Sequence, residues 1–326
     1  VTLDDWSFGE LRDLAEATVL VAVGVESGIF ERLGREPASA AELAHAMGFD
    51  ERATRIVLDA LVEVGMLEQE GGRLRPAARA ARELADPGGP HYAGLGMPHW
   101  IRSLQAMTRL REVLRRGGPL EARPAVRSPE QVARFTAAMA AAPAARVERI
   151  VDLCLTRNPE ARSVLDVGGG PGHMTRVFVS RGLRGTLLDT EEVIAHVVDA
   201  HDLDRVPRLD IVAADFVRDP LPSGPFDVVL LSSVIHIYGP DQNRELFRRV
   251  AEVCTPGAVV AVAEFLSGRS ARAPGLAVRM LLKSASGGAY SEAEIGGWLE
   301  EAGFGDRRVD ALDEDRQLVT ARLTKP

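Results

Sequence analysis

Val164-Leu-Asp-Val-Gly-Gly-Gly-Pro-Gly172 decides the reading of this chain. Its first four residues end a short apolar strand, the next five hold four glycines, and a helix is expected to follow from Gly172 to Arg181. Glycine lets a loop turn sharply and lets its backbone touch a ligand, and the free N–H groups of a helix start point at that ligand. Nicotinamide dehydrogenases use a related loop, but their G-x-G-x-x-G spacing needs a glycine where this chain has His173.

Strands alternate with helices downstream of the loop. Val164–Val167, Gly185–Leu188, Leu209–Ala213, Phe226–Leu231 and Ala258–Glu264 are apolar runs of strand length, and helix-length segments at Glu191–His201 and Asp241–Cys254 separate several of them. Such alternation predicts a parallel α/β sheet with helices on both faces. The end of the chain differs, with a helix over Glu292–Ala302 and strands near Arg307–Leu312 and Gln317–Leu323.

Upstream the pattern is helical. Leu11–Ser27 has helical spacing; Ser39-Ala-Ala-Glu42 is a capping box whose helix closes at Gly48; Asp50 caps a helix that stops at Gly65. Met66–Arg75 is two short strands around Gly71-Gly72, so helix, turn, helix and hairpin predict a winged helix. One helix is expected near His99–Arg115, and Ser128-Pro-Glu-Gln131 opens another through about Ala142. The resulting division is 1–85 for the winged-helix region, 86–160 for a helical linker and 161–326 for the α/β domain.

Charge and composition exclude several functions. The 326 residues carry a formal net charge of -8, and the expected recognition helix sets Asp50, Glu51, Asp59 and Glu63 against Arg52 and Arg55. That balance gives no net attraction to phosphates, so neither nucleic acid nor an anionic membrane is an expected partner. The winged helix is expected to serve a homodimer instead; a DNA-binding regulator with a cofactor-sensing domain is the alternative from another class. The two cysteines, Cys154 and Cys254, make neither a zinc cluster nor a disulfide framework, no metal is implied, and a cytoplasmic protein is expected.

Two features after the loop carry chemistry. Asp189 ends the second strand, where a carboxylate can accept both ribose hydroxyls of a nucleoside, and Asp215-Phe216 follows the third, where a carboxylate and a ring can hold an adenine. With these in place, the chain resembles the O-methyltransferases of the plant phenolic type and their bacterial natural-product relatives. The resemblance covers nearly its whole length and includes the winged helix, Leu165–Gly172, Asp189, Asp215-Phe216 and the stretch from Phe226 to Phe304.

The resemblance implies a Rossmann-like class I methyltransferase domain that uses S-adenosylmethionine. It implies cofactor contacts from Asp166, Gly168, Gly169, Gly170, Asp189, Asp215, Phe216 and Ser232. In Leu231-Ser-Ser-Val-Ile-His236 it implies that His236 is the general base, oriented by Glu264 with Glu294 as a second carboxylate. A phenol is a poor nucleophile until deprotonated, and an imidazole titrating near neutrality suits that task. By position Phe135, Met139 and Met280 resemble the acceptor lining, with Ser284 as a polar contact and His99, Trp100 and Met107 as additions, which implies a small, flat aromatic or polyketide-like acceptor. Two positions depart from the family: Ile237 follows the histidine where an aspartate is usual, and Ser232 stands where a lysine often meets the cofactor. Methylation of nitrogen or carbon on a similar acceptor is therefore the same-fold alternative.

Overall fold

The computed structural model describes residues 5–89, 91–120 and 128–324. The chain divides into two units, Val1–Gln105 and Ala106–Pro326.

In the first unit, side-chain caps start the helices. Ser7 Oγ accepts from Glu10 N–H while the Glu10 carboxylate accepts from Ser7 N–H at 2.8 Å, opening α1 (Phe8–Glu26) three residues before the expected start. After α2 (Ile29–Arg35), the Ser39–Glu42 box opens α3 (Ala40–Met47), and Asp50 accepts from Ala53 N–H at 2.8 Å to open α4 (Glu51–Glu63). Strands β1 (Leu67–Glu70) and β2 (Arg73–Pro76) pair in antiparallel register around Gly71 and Gly72, whose φ of 57° and 78° only glycine adopts without strain. This is the winged helix. Helices α5 (Ala78–Leu84) and α6 (Met97–Met107) follow, and Phe30, Leu33, Leu43, Leu58, Leu61, Leu67 and Leu74 form one buried cluster. Along α1, by contrast, Phe8, Leu14, Val19 and Val23 are exposed.

One helix was expected over His99–Arg115, and two are present. Arg109 N–H bonds the Ala106 carbonyl three residues back, which closes α6, and the Arg109 carbonyl then receives the first bonds of α7 (Leu110–Arg116). Next come α8 (Pro129–Ala140), opened by the Ser128–Gln131 box, and α9 (Ala144–Arg157).

The second unit then builds β3 (Ser163–Val167), α10 (His173–Ser180), β4 (Arg184–Asp189), α11 (Glu191–Ala200), β5 (Leu209–Ala213), β6 (Phe226–Ser232), α12 (Pro240–Glu252), β7 (Cys254–Glu264), α13 (Ala273–Lys283), α14 (Glu292–Glu301), β8 (Phe304–Ala311) and β9 (Gln317–Leu323). The sheet order is β5-β4-β3-β6-β7-β9-β8, parallel from β5 to β7 and antiparallel at β9 and β8. Asp227 fixes the β3–β6 register at one end, where its Oδ2 accepts from Arg162 N–H, Ser163 N–H and Ser163 Oγ–H.

Both faces of the sheet are covered, which is why β6 is apolar at every position from Val228 to Leu231. Val229 and Leu231 pack with Phe247 and Val250 of α12 and Ile295 of α14, while Val228 and Leu230 pack with Ile150 and Cys154 of α9 and Phe178 of α10. Strand order reverses between β3 and β6, so a crevice opens there at the carboxyl ends of the strands, the usual place for ligands in such sheets. Among the described residues, no helix is long and apolar enough to cross a membrane.

Candidate active site

The glycine loop leaves β3 at Gly168, whose φ is 67° and whose missing Cβ would lie 2.8 Å from Val234 Cγ2. Gly169 is equally constrained, since a Cβ there would meet Leu187 and Asp166. Gly170, with φ of 52°, faces open space, and its N–H donates to Asp189 Oδ2 at 2.9 Å. Asp189 Oδ1 accepts from Thr190 N–H at 2.8 Å. Asp189 thus ties the strand end to the loop through both of its carboxylate oxygens.

Asp166 sits under the loop and is 1% exposed. Its Oδ2 accepts from Thr175 Oγ–H at 2.6 Å, and its Oδ1 has no partner among the described residues. Burial pushes its carboxyl up to about 6, with the charge of Asp189 adding to the rise and the Thr175 bond opposing it. The next loop is tied in by Ala214 N–H, which donates to the Asp189 carbonyl at 2.9 Å. Asp215 beyond it is open, its side chain 40% exposed, whereas the Phe216 ring is buried and meets Tyr238 edge-on at 5.8 Å. Phe216 also lies 3.5 Å from the place a Gly168 Cβ would take, so its ring backs the loop. Ser232 is the half-buried last residue of β6.

Beyond β6, a short turn, Ile235–Ile237, carries His236. Its Nδ1 lies 2.9 and 3.0 Å from the two carboxylate oxygens of Glu264, the last residue of β7. Glu264 is acceptor-only when ionised, so this contact puts the imidazole proton on Nδ1 and leaves Nε2 as a base. His236 Nε2 has no hydrogen-bond partner among the described residues. The Glu264 side chain is 4% exposed and that of His236 15%, so the pair is shielded but reachable.

Several residues absent from the sequence reading hold this turn. Asn243 is fully buried, and its Nδ2 donates to the carbonyls of Ile235 and Tyr238 at 3.0 and 3.2 Å. The signal was available, because Asn243 is the one polar member of an α12 stripe that continues through Leu246, Phe247 and Val250. Gly288 N–H donates to the His236 carbonyl at 3.0 Å, and a Cβ on Gly287 would come within 2.4 Å of that same oxygen. Ser284, which the sequence reading expected as a polar contact to the acceptor, stands at the end of α13 and donates its Oγ–H to the Ile237 carbonyl at 2.6 Å, so it too braces the His236 turn.

The remaining expected residues are dispersed. Glu294 is exposed, and its Oε2 accepts from Ser291 N–H and Oγ–H at 2.8 and 2.7 Å to cap α14; it makes no hydrogen bond to His236 among the described residues. Phe135 and Met139 are half-buried on α8, and the Met139 carbonyl lies 3.2 Å from His173 Nε2, which joins α8 to the start of α10. Met280 is buried on α13. Trp100 lies on α6 and is 37% exposed, Met107 ends the same helix, and the His99 side chain lies outside the described residues.

A seven-stranded sheet of this order, with a glycine loop and strand-end carboxylate on one side of its crevice and a carboxylate-held histidine on the other, defines a class I methyltransferase. Residues 120–305 match the O-methyltransferase domain, and the chain belongs to that family, which depends on S-adenosylmethionine. It is 31% identical to 3-hydroxy-5-methyl-1-naphthoate 3-O-methyltransferase of Streptomyces sahachiroi over 92% of this chain and 90% of that one. It is 30% identical to the tetracenomycin polyketide synthesis 8-O-methyl transferase of Streptomyces glaucescens, over 91% of each. Human N-acetylserotonin methyltransferase, solved with S-adenosylmethionine, superimposes with a TM-score of 0.85 at 20% identity and 100% coverage of both chains.

Proposed function

We propose that this enzyme methylates a hydroxyl of a small, flat aromatic or polyketide-like acid or phenol in natural-product biosynthesis, with His236 as the general base. The bond from His236 Nδ1 to the buried Glu264 carboxylate, at 2.9 Å, carries the reading. When bound, S-adenosylmethionine would supply a methyl on a sulfonium sulfur: the acceptor oxygen bonds the methyl carbon in line as its bond to sulfur breaks, and S-adenosylhomocysteine is the leaving group. The cofactor's ribose fits Asp189, whose carboxylate stands at the strand end beside the loop, and its methionine end fits the open space at Gly170. Asp215 is the exposed acceptor for the adenine, with Phe216 behind the loop and Ser232 at the strand end nearby. His236 Nε2 takes the acceptor's proton, and Glu264 keeps Nδ1 protonated and balances the imidazolium that forms. Asn243 and Ser284 hold the turn so that this geometry exists before the acceptor arrives.

The names of the naphthoate and tetracenomycin relatives support the acceptor class. Phe135, Met139, Met280 and Trp100 are our candidates for its apolar contacts. The exposed apolar residues of α1 support a homodimer, and free thiols at Cys154 and Cys254 suit the cytoplasm. The test is a panel of hydroxynaphthoates, phenols, quinones and amines with labelled cofactor, reading the methylated atom by NMR. Methyl on oxygen supports the reading; methyl found only on nitrogen or carbon overturns it.

A further inference from the structure

The turn between β8 and β9 carries a cation that this chemistry leaves unused. Arg316 is largely buried; its Nη1 donates to Ser233 Oγ at 2.8 Å, and its guanidinium carbon lies 4.0 Å from the centre of the Phe265 ring. Neither partner is charged. The carboxylates around it are committed elsewhere. Asp313 Oδ2 pairs with Arg146 at 3.0 Å, and its Oδ1 accepts from the backbone of Asp315 and Arg316. Asp315 pairs with Arg272 at 2.7 Å, and Glu264 holds His236. Among the described residues no carboxylate pairs with the Arg316 guanidinium.

Its place in the sheet is informative. Gln317, the next residue, is in register with Glu264, so Arg316 starts at β9, crosses the end of β7 over Phe265 and reaches the end of β6 at Ser233. His236 lies three residues further on. Ser233 itself has φ of 60°, a left-handed conformation that disfavours a non-glycine residue. Burial holds the guanidinium below its ordinary range, and attraction to the Glu264 charge only partly offsets that. A mostly buried charge without a counter-ion, at the carboxyl edge of the strands, is a fork shaped for an incoming planar anion.

We propose that Arg316 receives a carboxylate in the active site. The inference rests on the methyl-transfer reading of that site, within which two carboxylates occur: the amino-acid end of the cofactor and an acid group on the aromatic acceptor. Binding to the full-length protein separates them. Wild type, Arg316→Gln and Arg316→Lys are titrated by calorimetry with S-adenosylhomocysteine and with 5′-methylthioadenosine, which lacks the amino-acid carboxylate. With S-adenosylhomocysteine present, the same proteins are titrated with 3-hydroxy-1-naphthoate and with the matching naphthol.

We expect Arg316→Gln to weaken one carboxylate-bearing ligand by about tenfold or more while its carboxylate-free counterpart changes by less than about twofold, and Arg316→Lys to recover part of the loss. A collapse of the first pair's preference assigns the cofactor, and of the second pair's the acceptor. If neither preference moves, or if both members of each pair weaken alike, Arg316 only shapes the Ser233 turn and the proposal is wrong. Wild type that fails to bind S-adenosylhomocysteine would remove the methyl-transfer reading itself, a different result from the other two.

Discussion

Replacing His236 by alanine tests the proton path most directly. In the proposed mechanism Nε2 takes the acceptor's proton while Glu264 holds Nδ1, so His236→Ala should leave cofactor affinity near wild type and cut turnover by roughly 100- to 10,000-fold, the worth of a positioned general base. Glu264→Gln removes a charge but keeps a hydrogen-bonding group. The change from a charged to a neutral hydrogen bond costs about 1–2 kcal/mol. Lost attraction to the imidazolium adds at most about 4 kcal/mol at an effective dielectric near 20. The two overlap, so a barrier increase of about 2–4 kcal/mol follows, which is roughly 30- to 1,000-fold in rate. The assay is single turnover with labelled cofactor at pH 7 and again above the acceptor's own pKa, with S-adenosylhomocysteine affinity measured by calorimetry on the same samples. Above that pKa solvent deprotonates the phenol, and His236→Ala should recover part of its loss. Retention of more than about a third of wild-type turnover at pH 7 would refute the base mechanism and favour a nitrogen or carbon acceptor aligned by proximity alone.

Three further outcomes follow from the same geometry. Asp189→Ala should weaken S-adenosylhomocysteine by roughly 10- to 100-fold in calorimetry, because it removes charged acceptors and leaves Gly170 N–H without its partner; unchanged affinity would dissociate Asp189 from the cofactor. Asp166 has a folded-state carboxyl pKa raised to about 6, so its proton favours the folded state and its contribution is lost as pH climbs from its unfolded value through 6. Stability, followed by thermal melting, should therefore shift in favour of Asp166→Asn relative to wild type between pH 4 and pH 8, by at most about 3 kcal/mol, and a pH-independent difference would contradict the burial argument. Finally, light scattering at micromolar concentration should report a dimer, and Phe8→Glu with Leu14→Glu should shift it toward monomer; a monomeric wild type would end the dimer proposal.

Side-chain caps made several helix starts legible in the sequence, and some helices without one went unread. Ser39, Asp50, Ser128 and Ser291 each cap a helix where the sequence places one. The unread helices α2, α5, α9 and α13 start without a side-chain cap bond. In α9 the apolar stripe Val147, Ile150, Val151 and Cys154 was a usable signal, but Pro143 obscured its start. The glycine loop, Asp189 and Glu264 stand at strand ends and His236 just beyond one, along the edge of the sheet where the sequence pattern places them. Glu294 was ambiguous for a physical reason, since the same Ser-x-x-Glu spacing that suggests a carboxylate near the base also caps α14, and the cap is what forms. Arg316 was unreadable because only the folded register of β9 against β7 separates it from the other arginines of the chain.

The pairing of β7 with β9 has a consequence for synthesis. Val259–Ala263 is a five-residue apolar segment almost wholly hidden in the folded sheet, with β6 along one edge and β9 along the other. The ribosome makes β9 about fifty residues after β7 ends, which at 5–20 residues per second is on the order of several seconds. During that interval a strand of high β-propensity without charge or proline presents an open edge to other nascent chains. Yield in a heterologous host should then depend on translation speed and on chaperones that shield this one segment, even for variants whose finished fold is fully stable.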